Sequence, residues 1–251
     1  IIVSILIAMV FSVQIAILIA GGLLVFIAII SLKLVRETKF KSIARKEASS
    51  IGQMSLAIKG GLSRIKGNSV LIGLAAITIF IGLASEGFDR LWGAHFIEGF
   101  QLNEEDAIYW FGAFYGIAFL INIGLLKVVE TYVKERFASV LFVFNSLLVV
   151  LMMVFAMSNV FLLAAIMYWV IASLRAVNSP LMSIMTNKQL QSQGRATTLS
   201  MYGQLDAFGQ VAGGPLVGVI ALYTSIQGGL MASAILIVPT LYFLWRMRRI
   251  A

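Results

Sequence analysis

A few ionisable and polar side chains interrupt the long apolar runs of this sequence, and any chemistry has to be sought among them. Asp206 lies about ten residues into one such run, roughly 15 Å deep at helical rise and near a bilayer midplane. Tyr202 and Gly203 fall four and three residues before it, Gly209 and Gln210 three and four after, and Gly213 seven after. On a helix these share one face. Glycines at that spacing let another helix approach closely. The face must therefore meet protein or a water-filled cavity, while Leu205, Phe208 and Val211 point elsewhere. Asp206 then has two readings: a carboxylate that couples to protons or binds a cation, or a hydrogen bond or ion pair between packed helices.

A second cluster sits in another apolar run. Glu86 and Arg90 stand at i and i+4 with Asp89 between them, so all three can interact on one helical face. At helical rise Glu86 is about 24 Å along its run, near the outer interface. The cluster is either an external gate or a solvated ion-pair group that caps the span. Arg175, near the inner end of a later run, either snorkels to the cytoplasm or meets an anionic group. Tyr168 and Trp169 lie too deep in that run for an interfacial aromatic belt and are candidates to line a substrate cavity with Thr78 and Gly82. Tyr109, Trp110 and Tyr115 fall where a belt is expected, and Asn122, Asn145 and Asn178 read as interhelical hydrogen-bonders. There is no Cys and the only His is His95. Thiolate chemistry and paired-His zinc sites are excluded, and no cofactor or metal is expected.

The elements that hold these residues must cross a membrane. Of the 251 residues 60% are apolar and 12% charged, with a mean hydropathy of +0.97; soluble domains are about 45–50% apolar and about 25% charged. An ordinary soluble enzyme, a nucleic-acid-binding domain and a disordered chain are all excluded. Apolar runs long enough for a bilayer lie near 13–35, 70–91, 107–126, 138–157, 160–177, 198–222 and 229–245. The first 35 residues are too long for one crossing, so Ile1 to Phe11 should end an earlier span that turns near Ser12 to Gln14. Ser158-Asn159 supplies a tight turn. The chain begins inside an apolar run with no basic flank, unlike a signal peptide, and it reads as a fragment of a longer protein.

Charge placement orients the spans. With alternating crossings one side receives nine, three, three and three Lys or Arg from segments 33–68, 127–136, 175–195 and 246–249, and the other side only Arg90. The basic side is cytoplasmic. The net charge of +8 is thus a signal of orientation, and it implies a multi-pass protein of a cell (inner) membrane with its C-terminus inside. Segment 36–68 reads as a cytoplasmic linker, in which Ile51, Met54, Ile58, Leu62 and Ile65 give a short basic amphipathic helix on the inner leaflet or against the bundle.

Two stretches carry a resemblance. "SEGFDRLWGAHFI" (Ser85 to Ile97) and "RATTLSMYGQLDAFGQVAGGPLVG" (Arg195 to Gly218) resemble spans in the C-terminal half of major facilitator superfamily transporters. Gly214-Pro215-x-x-Gly218 fits the end of that family's antiporter motif, although Gln210 stands where an upstream Gly is expected. The resemblance implies an all-α polytopic protein: the end of the N-terminal bundle over 1–35, the linker over 36–68, and a six-helix bundle over 69–251. It implies two halves rocking about a midplane site, with the second and fifth spans lining the cavity and Asp206 at the interface between halves.

The expected activity is secondary active transport of small molecules by alternating access, coupled to protons and directed outward. The implied partners are the substrate, protons, the bilayer and the missing N-terminal half, with no nucleic acid. A non-transporting scaffold or sensor on the same fold and an importer are the alternatives. An intramembrane aspartyl enzyme would need a second deep carboxylate facing Asp206, so no enzyme is expected.

Overall fold

A computed structural model describes residues 2–34, 59–133, 135–190 and 195–249. Every element in them is helical: α1 (Ile2–Val10), α2 (Val13–Leu34), α3 (59–66), α4 (Ser69–Gly99), α5 (Glu104–Tyr132), α6 (Phe137–Met157), α7 (Phe161–Lys188), α8 (Arg195–Tyr223) and α9 (Ile226–Arg248). Among the described residues seven, α2 and α4 to α9, are long and apolar enough to cross a membrane. The expected turn after Phe11 is present. Ser12 Oγ accepts from Ile15 N–H at 3.2 Å and starts α2.

Local sequence fixes the helix starts. Asn68 caps α4 by accepting from the N–H groups of Val70 and Leu71 at 2.9 and 3.3 Å. Asn103 caps α5 through Asp106 N–H at 2.7 Å, and Ser225 caps α9 through Gly228 N–H at 3.0 Å. These oxygens satisfy amides that the first turn leaves open. The Ser158-Asn159 turn joins α6 to α7 as expected.

The helices outrun the apolar runs that reveal them. α4 continues to Gly99 and α7 to Lys188, so most of the loops expected over 86–106 and 175–195 is helix. At 1.5 Å per residue α4 is about 46 Å long. Glu86 is thus close to its middle and not at the outer interface. Connections alternate between two ends, one basic, with Lys127, Arg136, Lys188 and Arg195, the other acidic, with Glu98 and Asp106. Of the amphipathic linker helix only 59–66 is described; there Gly61 and Ile65 are buried and Leu62 is exposed, so it packs on the bundle along a narrower face than the spacing implies. The rest of that helix lies outside the described residues.

The six helices α4 to α9 pack as two interlocked triplets. α4 lies mainly against α8 and α9, α7 mainly against α5 and α6, and α6 packs on α9. Exchanging α4 with α7, α5 with α8 and α6 with α9 reproduces this pattern, with every helix replaced by one running the opposite way. The departure is that α8 rests on α9 more than α5 does on α6.

Lipid is as apolar as a leucine side chain, so such contacts depend on close packing and polar pairs. Between α4 and α8 glycine provides the closeness: a methyl on Gly82 would come within 2.5 Å of the Asp206 carbonyl oxygen, and one on Gly209 within 2.5 Å of the Ile79 carbonyl oxygen. Phe208 and Val211, on the opposite side of α8, are exposed.

Candidate functional site

α4, α7 and α8 leave a cavity of about 800 Å³ between them, completed by α5 and α6. Its floor at the acidic end is aromatic. The lining reaches Asp89 on α4, Tyr115 on α5 and Tyr168 on α7; immediately beyond, Trp92 stacks on Tyr168 with ring centroids 4.4 Å apart, and Phe96 on Phe114 at 4.4 Å. All four of these rings are buried. Toward the basic end the lining continues to Thr186 and Leu199, within about one turn of the ends of α7 and α8.

Six of the eight sequence candidates line this one cavity: Glu86, Asp89, Tyr168, Arg175, Asp206 and Gln210. Arg90 and Trp169 do not. Arg90 turns away from the cavity and binds Glu86, with Nε–Oε1 at 2.7 Å and its side chain 69% exposed. Trp169 packs beside Phe114, centroids 6.0 Å apart, and its indole Nε1 is buried without a hydrogen-bond partner. Of the other two residues expected to line a cavity, Thr78 does, while Gly82 is used for the α4–α8 approach.

Of its two readings, Arg175 takes the second and meets an anionic group. Its helix runs 13 residues past it, so it lies mid-helix and cannot snorkel to the basic end. It reaches α4 and binds Asp89 through two hydrogen bonds, Nη1–Oδ1 and Nη2–Oδ2, both 2.6 Å. Two parallel bonds of this kind are the strongest geometry available to an Arg–carboxylate pair. The guanidinium also lies over the Phe88 ring, 5.1 Å from its centroid. Asp89 therefore belongs to Arg175 and not to the Glu86–Arg90 group.

On α8 the polar face divides. Tyr202, Gly209 and Gly213 are buried, and the Tyr202 hydroxyl donates to the Leu71 carbonyl at 2.6 Å. Asp206 and Gln210, together with Tyr202 and Gly203, line the cavity, where Gln210 Nε2 donates to Asp206 Oδ2 at 2.8 Å. Among the described residues, Asp206 is the one cavity acid without a cationic partner, since Glu86 has Arg90 and Asp89 has Arg175.

Asn145 and Asn178 do pair across α6 and α7, Nδ2–Oδ1 at 3.1 and 3.4 Å. Asn122, expected to do the same, instead lines the cavity with its Oδ1 buried and unpartnered. Tyr115, expected in the interfacial belt, lines the cavity too. The sequence does hold a signal for both: Tyr115 and Asn122 stand at i and i+7 on α5, a spacing that marks one polar stripe on a span. Among the described residues no group of three acidic or His side chains gathers as a metal site. No protein-family model and no curated protein matches this chain.

Proposed function

We propose that this chain belongs to a proton-coupled secondary transporter of small molecules that works by alternating access, with efflux as its normal direction. The observation that carries the reading is the cavity: about 800 Å³ at the depth of membrane-spanning helices, lined by ionisable and polar side chains. Such groups are expensive inside a membrane and mark solute or proton pathways. The interlocked, oppositely running triplets support it, because inverted repeats around a midplane site are a common transporter plan. A cavity closed by aromatic rings at one end and reaching the other suits one of the two states that alternating access needs. The resemblance of Ser85 to Ile97 and Arg195 to Gly218 to major facilitator transporters supports the reading as well.

Asp206 is the coupling group in this reading. It is the acid left free to exchange a proton, and its backbone lies in the tight contact between α4 and α8, where a change of charge can bias helix packing. The test uses the full natural chain in proteoliposomes. In Asp206→Asn, transport driven by an imposed proton gradient should fall by at least about tenfold, or about 1.4 kcal/mol, while substrate exchange without a gradient persists. Undiminished gradient-driven transport in that variant would remove Asp206 from coupling. Loss of gradient-driven and exchange transport alike would instead mark a structural hydrogen bond.

A further inference from the structure

The Asp89–Arg175 pair sits at the aromatic end of the cavity, where α4 and α7 otherwise touch little. Both members face the open space, with side chains 52% and 26% exposed. Phe88 lies under the guanidinium, and Tyr115, Phe119 and Tyr168 line the same end. An accessible ion pair beside aromatic rings offers a ligand two charges of opposite sign and an apolar wall.

We propose that this pair is the docking point for a small dipolar ion, one ammonium and one carboxylate on an apolar or aromatic body, which is the chemistry of an amino acid. The ammonium takes the place of Arg175 on Asp89, and the carboxylate takes the place of Asp89 on Arg175. The inference rests on the transporter reading for its purpose, though not for the binding itself.

Charge compensation decides the class. A ligand carrying only a cation could win Asp89 but would strand Arg175 above Phe88 with no anion. A ligand carrying only an anion could win Arg175 but would strand Asp89 one turn from Glu86. Leaving one charge unmatched between membrane-spanning helices is unfavourable. A dipolar ion leaves neither alone, so the pair selects for it by penalising both competitors. The aromatic wall then receives the apolar body.

The experiment measures binding by titration calorimetry to the full natural chain in lipid nanodiscs at neutral pH. Three probes share one phenyl body: L-phenylalanine, phenethylamine and 3-phenylpropionate. L-phenylalanine should bind at least about tenfold more tightly than either of the others. Arg175→Gln should shift the preference to phenethylamine, and Asp89→Asn to 3-phenylpropionate. The exchanged variant Asp89→Arg with Arg175→Asp should restore the preference for the dipolar ion, which guards against reading misfolding as lost binding. The proposal is overturned if a singly charged probe binds the natural chain as tightly as L-phenylalanine, if no probe binds, or if the single variants keep the original order. Dipolar-ion binding without transport would leave this inference standing and overturn the function; transport with no dipolar preference would do the reverse.

Discussion

Glu86 takes Arg90 on its own helix, Asp89 takes Arg175 from α7, and Asn145 and Asn178 satisfy each other. Among the described residues Asp206 is left as the cavity acid without a cation, with Gln210 donating to it. The asparagine pair is buried on both sides, and Asn145 Nδ2 also donates to the Leu141 carbonyl at 2.8 Å. Asn145→Ala should therefore lower stability by roughly 0.5–2 kcal/mol, the range for interhelical hydrogen bonds in membranes. Thermal denaturation in detergent would read this, and a change within error would show that the pair carries no net stability. The sequence made Asp206, Gln210 and the asparagines visible because polar residues in apolar runs stand out. It did not disclose who pairs with whom. Asp89 has Glu86 and Arg90 as near neighbours in sequence, but its partner is 86 residues away, and no local spacing encodes that.

At the scale of elements, the spans were legible and their ends were not. Hydropathy stops α4 at about residue 91 and α7 at about 177 because a helix that lines a polar cavity must carry polar side chains on that face. The structure continues both helices past those points, which turns Arg175 from an end residue into a central one. The α4–α8 contact offers a direct test of packing. A methyl on Gly213 would collide with the backbone of Leu83, whereas one on Gly218 would meet nothing within 4 Å. Gly213→Ala should cost roughly 1–3 kcal/mol, as overpacking typically does, and Gly218→Ala should leave the melting temperature unchanged. Equal effects of the two substitutions would contradict close apposition of these helices.

For the whole molecule, the cavity predicts which face admits solutes. Ser183 lines it on the basic side and is exposed, and these 251 residues contain no Cys to give background labelling. In Ser183→Cys, a membrane-impermeant maleimide should react from the basic side and, at least about tenfold more slowly, from the acidic side; equal rates would mean that the aromatic layer does not close the cavity. The interlocking of the triplets also has a consequence in time. Of the six bundle helices α4 is made first, yet the helices that cover it, α8 and α9, are made last, and Asp89 waits 86 residues for Arg175. At roughly 5–20 residues per second of synthesis, its carboxylate spends about 4–17 s without that partner. During those seconds the nascent protein depends on the insertion machinery, water at the membrane surface or a proton to shelter one charge.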